Sequence, residues 1–138
     1  MAITMNIGKF TIDLMQKTKQ KNIHLSETEK MKQIINKSNL NISDKITLVH
    51  FVCVENHPEL LKFILNMYDL TNSYDYFICI ALNNRSIIDV LLYYGADLNS
   101  ALNYAQNNHN FNCKIPVLQK LMKQIDMEND NFVSQFLA

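Results

Sequence analysis

At 138 residues and 48% hydrophobic content the chain can bury one sizeable core, and one domain is the default for that length. Thirteen basic residues balance thirteen acidic ones, which removes the electrostatic footprint of a dedicated nucleic-acid binder. Three cysteines, Cys53, Cys79 and Cys113, show no CxxC spacing, a pattern of reduced thiols that predicts a cytoplasmic or nuclear compartment.

No apolar run reaches the length of a membrane span, and the N-terminus lacks the order of a signal peptide. The expectation is a soluble, unprocessed chain with no membrane partner. Eighteen Asn and fifteen Ile against two Gly and two Pro reflect AT-rich coding more than chemistry.

In chain order, Ile7, Phe10, Leu14 and Met15 form an apolar stripe, followed by Lys17, Lys19 and Lys21, which read as a solvated helix face. Ser26 before Glu27, Thr28 and Glu29 is an N-cap with an acidic first turn, leading into Met31, Ile34 and Ile35. Thr47 to Cys53 and Glu55 to Leu65 read as two short apolar helices separated by a polar turn at Asn56 and His57. Tyr74 to Ile80 and Ile87 to Leu92 repeat that shape through Asn83-Asn84, with Thr47 and Tyr74 equivalent at an offset of 27 residues.

The stripe Ile87, Ile88, Val90, Leu91 and Leu92 ends at Tyr94, and Gly95 follows where a left-handed residue closes the last turn. Ala96-Asp97-Leu98-Asn99 suits a tight turn, and a third first helix begins at Ser100. Its polar turn falls at Asn107, Asn108, His109 and Asn110. Pro116 then opens a helix carrying Val117, Leu118, Leu121, Met122 and Ile125, with Phe132, Val133, Phe136 and Leu137 as a final apolar turn or two.

Gly95-Ala96-Asp97-Leu98-Asn99 resembles the Gly-Ala-Asp-Val-Asn turn of ankyrin repeats, and Thr47 and His50 occupy the Thr and His positions of that family's Thr-Pro-Leu-His motif, with Leu48 in place of Pro. The resemblance covers residues 40 to 125. It implies an all-α, ankyrin-like helix-turn-helix solenoid of about four helix pairs, forming a single repeat domain over 1–138. In that reading 1–39 is an N-terminal capping pair, 40–71, 72–99 and 100–125 are repeats, and 126–138 is a C-terminal cap with a polar outer face. Units of 26 or 27 residues are shorter than the family's ~33. The deficit falls after the Leu-Asn turn, so the β-hairpin fingers are expected to be short or absent, which moves any binding surface onto the first helices.

The function implied is non-enzymatic: a protein-protein interaction module that binds another protein through the concave first-helix face, as a monomer or weak homodimer. Carried over by position, the contact residues are Ile46, Val54, Glu55 and Met67, then Ser73, Ala81, Leu82 and Tyr94, then Asn107 and Asn108. Composition and size are similar to ankyrin proteins of large DNA viruses or intracellular bacteria, which makes a modulator of host signalling in the host cytoplasm or nucleus the expected role.

No cofactor, metal site or catalytic residue is expected. His24, His50, His57 and His109 show no i, i+4 pairing for a metal, and Gly8 and Gly95 cannot build a phosphate loop. The alternatives from other classes are a small thiol-dependent enzyme using Cys113 and His109, and a self-associating structural subunit.

Overall fold

The computed structural model describes residues 27–137, and the chain divides between Leu70 and Thr71 into two compact units. The described residues are all-α: seven α-helices and two 3-10 segments, with no strand among them. The N-terminal stripe, the lysines at 17, 19 and 21, Ser26 and His24 lie outside the described residues.

The first unit holds α1 (Glu27–Lys37), α2 (Ile42–Val54) and α3 (Pro58–Met67). Asn41 caps α2, its side-chain oxygen accepting from the Asp44 amide at 2.8 Å. The helix therefore begins at Ile42 and not at Thr47 as the sequence suggests; Thr47 lies inside it, donating its hydroxyl to the Ser43 carbonyl at 3.0 Å. α2 ends in a two-bond left-handed closure. Asn56 adopts φ +59, its amide donates to Cys53, and the His57 amide donates to Val52 at 3.1 Å. Pro58 at the first position of α3, where an amide has no intrahelical partner, restarts the chain as a helix. α1 and α2 both pack on α3. Met31 and Ile35 of α1, Leu48, Val49, Val52 and Cys53 of α2, and Leu60, Leu61, Ile64 and Leu65 of α3 are buried.

The second unit opens with a 3-10 turn, Thr71–Ser73, and continues through α4 (Tyr74–Ile80), α5 (Arg85–Tyr93), α6 (Leu98–Asn107), a 3-10 segment His109–Lys114, and α7 (Ile115–Leu137). α5 ends as the sequence predicts. Gly95 takes φ +104, its amide donates to Leu92 at 3.1 Å and the Ala96 amide to Leu91 at 2.9 Å. The expected turn through Asn99 is shorter, because Asp97 caps α6 by accepting from the Asn99 amide at 2.9 Å, so Leu98 and Asn99 already belong to the helix.

α4 packs against both α5 and α6, and α6 against α7. Ala101 and Ala105, four residues apart and both fully buried, let α6 approach α4 closely. Cys79 reaches the Ala101 carbonyl at 4.0 Å across that contact. Pro116 sits in the first turn of α7, and the helix runs unbroken from there through Phe136, so Phe132, Val133 and Phe136 extend it and form no separate turn. No helix among the described residues is long and apolar enough to cross a membrane.

Candidate functional site

Three rings from separate elements of the second unit meet along the first-helix pair. Tyr76 lies in the first turn of α4 and Tyr104 in the second half of α6, on two helices that pack together. Phe111 of the 3-10 segment touches both, at 5.8 Å edge-to-face with Tyr76 and 5.7 Å tilted with Tyr104. All three are half-buried. Such rings combine apolar contact area with phenol donors at the edge, and aromatic pairs in these geometries contribute about 0.5–1.5 kcal/mol beyond their area.

The surroundings hold the rings in place. Ser100 donates to Asp75 at 2.8 Å, tying the start of α6 to α4. At the other end Asn112, with its amide nitrogen toward α6, donates to the Ala105 carbonyl at 2.7 Å, an acceptor that α6 leaves open at its C-terminus. Burial raises the Tyr104 phenol above its ordinary value, with Cys79 and Asp75 adding to the effect. That phenol is therefore neutral at physiological pH and can donate a hydrogen bond. Ser100 and Asn107, four residues before Tyr104 and three after it, are exposed on the face of α6 that carries it, and Asn103 is exposed one step of rotation away.

The positions expected from sequence fall in varied surroundings. In the first unit Ile46 is half-buried within α2, Val54 ends that helix at 50% exposure, Glu55 is the exposed cap residue, and Met67 is half-buried at the end of α3. In the second, Ser73 is half-buried before α4, Leu82 half-buried in the turn after it, Asn107 exposed and Asn108 half-buried. Ala81 is fully buried, which takes it out of any contact surface: its amide closes α4 onto Phe77 at 3.1 Å and its carbonyl receives the Asn84 amide at 2.9 Å. The aromatic exposed at the end of α5 is Tyr93, at 85%, with Tyr94 half-buried against it edge-to-face at 5.4 Å. One residue turns the helix face by about 100°, enough to exchange the two roles.

Tyr76, Tyr104 and Phe111 were not among the sequence candidates. Tyr76 and Tyr104 stand 28 residues apart, outside the 26- or 27-residue repeat, so the repeat gives no signal for the pair; Phe111 joins them only through the 3-10 winding of His109–Lys114.

The thiols divide by environment. Cys53 and Cys79 are buried, which pushes their pKa values up to about 12 and about 11, with Asp75 adding to the shift at Cys79 and Lys114 opposing it. Cys113 is exposed in the same 3-10 segment as His109. At three residues per turn, residues four apart point about a third of a turn away from each other, which separates this thiol and imidazole. Among the described residues no three His, Cys, Asp or Glu side chains gather in position to hold a metal ion, and no buried side-chain nitrogen or oxygen lacks a partner.

Comparison of the chain with protein-family models, with curated proteins and with solved structures returned no match.

Proposed function

We propose that the protein is a non-enzymatic interaction module, an ankyrin-like stack of helical hairpins that takes up a segment of another protein along its first-helix face. The observation that carries this reading is the Tyr76–Tyr104–Phe111 platform: three half-buried rings, contributed by two successive first helices and the segment that follows them, within an exposed Asn- and Ser-rich rim. Tyr is among the residue types that dominate interface energies, because it brings large apolar area and a polar handle at small entropic cost. The repeat-like construction supports the same reading. A left-handed residue ends α2 inside a hairpin at Asn56 and ends α5 between hairpins at Gly95, and α4 packs on α6 as first helix on first helix. In such stacks function resides on the surface the helices present, not in the core.

The partner fitted by this surface is an extended or helical peptide segment. It would place an apolar side chain against the rings and hydrogen-bond its backbone to Asn103, Asn107 and the Tyr104 phenol. Capture with a photo-crosslinking side chain at Asn107 tests the proposal. Cell-lysate partners crosslinked by the parent chain are expected to be lost from Tyr104→Ala and Phe111→Ser variants that keep their helical circular dichroism. Undiminished crosslinking in both variants removes the platform as the site.

A further inference from the structure

The two halves of α7 differ in charge and in cover. Lys120 and Lys123 lie in the first half, and Asp126, Glu128 and Asp130 in the second. Leu118 and Leu121 are buried and Ile125 half-buried along one face. The same helical spacing continues to Phe132 and Phe136, which are 60% and 77% exposed and touch each other at 5.0 Å. The face that is core in the first half carries Glu128 and Asn129 in the next turn and then the two exposed rings, and exposed aromatic rings side by side mark an interface. Beside the first half, α6 and α7 border an open groove of about 650 Å³ lined by Leu102, Pro116, Gln119, Lys120, Met122 and Lys123. Its floor is apolar and its rim carries two ammonium groups.

We infer that this groove receives the distal half of α7 from a second copy of the chain, the two copies pairing antiparallel through α7 about a two-fold axis near Asp126. Charge order selects the direction. Antiparallel pairing lays the acidic half of each helix on the basic half of the other, bringing Asp130 beside Lys123 of the second copy and leaving the two Asp126 carboxylates at the axis as the like-charged pair, whereas parallel pairing sets like on like along the whole helix. Glu128 is already held by Arg85, which donates to it through both terminal nitrogens, one at 3.1 Å, while its Nε donates to Asp89 at 2.9 Å. That bond anchors the helix midway along and leaves the distal turns as the projecting arm.

Symmetry supplies the second argument. A two-fold axis perpendicular to a pair of antiparallel helices keeps both α6 helices on the same side of the pair. The face of α7 that covers α6 of its own copy in the first half therefore covers α6 of the other copy in the second half. That face carries Phe132 and Phe136, and what they meet is the side of the groove formed by Leu102 and Met122. The contact is isologous, so every pairing is made twice. With 23 residues the helix is about 35 Å long at 1.5 Å per residue, enough for about three turns in each half-site.

Sedimentation equilibrium of the purified full chain across micromolar concentrations tests the pairing, without reference to any partner of the first-helix face. A reversible dimer is expected. A Phe132→Asp, Phe136→Asp double variant should weaken it about tenfold or more, the loss of a hot-spot contact. Both side chains are exposed, so its circular dichroism should match the parent. Lys123→Asp should also weaken the dimer, and Lys123→Asp combined with Asp130→Lys should restore it. Carbodiimide coupling of mixed isotope-labelled and unlabelled chains should join Lys120 or Lys123 of one copy to Asp126 or Asp130 of the other. A chain that stays monomeric at every concentration, or a dimer indifferent to the two phenylalanine substitutions, overturns the inference.

Discussion

Cys53 and Cys79 sit where a thiolate has little solvent around it, while Cys113 stands at the surface of a 3-10 segment. The thiolate is the reactive form. In the folded chain a disulfide reagent at pH 8 is therefore expected to label Cys113 alone, with Cys53 and Cys79 following at the rate of unfolding; rapid labelling of all three would show that neither buried thiol is protected. The same burial sets an alkaline limit. An unfolded thiol ionises near pH 9, and the folded ones are held protonated to about 12 and about 11. Between these values the unfolded chain binds fewer protons than the folded one, so stability is fully present below pH 9 and falls as pH rises. The slope is about 1.4 kcal/mol per pH unit for each buried thiol. Urea midpoints at pH 8 and pH 10.5 measure the drop, and Cys53→Ala should make it shallower. Residue identity also shows where sequence reading stops. Ala81 reads as an exposed contact because a small side chain carries no sign of burial, and the structure covers it completely. Tyr93 and Tyr94 differ by one step of rotation, which the sequence does not resolve when both neighbours are aromatic.

Helix ends were more legible than helix beginnings, and the reason is stereochemical. Gly95 adopts φ +104, and a Cβ built there meets nothing within 4 Å. Its requirement is conformational rather than spatial, and glycine is the residue type that announces such a requirement. Asn56 performs the same closure at φ +59, a conformation asparagine tolerates better than most residues. The starts of α2 and α6 were set too late from sequence because Asn41 and Asp97 are both turn formers and N-caps, and only the hydrogen bonds to Asp44 and Asn99 decide between those uses. The aromatic platform was out of reach for a different reason: Tyr76 and Phe111 are 35 residues apart, and their contact exists only once α4, α6 and the 3-10 segment are assembled. The two closures give paired substitutions of opposite sign. Gly95→Ala should destabilise the chain by about 1 kcal/mol and Asn56→Ala by a similar amount, while Asn56→Gly should be neutral or stabilising by a few tenths. Thermal melts of the three variants check this. Gly95→Ala with an unchanged melting temperature would mean that α5 does not depend on its left-handed closure.

At the scale of the whole chain, thirteen positive and thirteen negative side chains cancel, so long-range repulsion between copies is at its weakest near neutrality. Net charge near zero favours association, and this chain also carries complementary charges segregated along α7. The two effects separate by pH. Histidine is the side-chain type that changes charge between pH 5 and 8, and the chain has four. Acidification from pH 7 to pH 5 adds positive charge to the chain, while in the inferred pairing Asp126 and Asp130 face Lys120 and Lys123 of a second copy. Moving from pH 7 to pH 8.5 changes far less, because the two buried thiols stay protonated. Attraction between copies of the Phe132→Asp, Phe136→Asp variant, which adds two negative charges and removes the two exposed rings, should therefore peak on the acid side of pH 7 and vanish in moderate salt, where charges beyond about 10 Å are screened. In the parent chain the apolar contact persists, so its association should survive salt and weaken only as net positive charge accumulates below pH 6. Light-scattering second virial coefficients of both chains across pH 5 to 8.5, at low and moderate salt, distinguish these profiles. A parent chain whose attraction disappears in salt together with that of the variant would show the association to be charge-driven, and would leave the two rings without an energetic role in it.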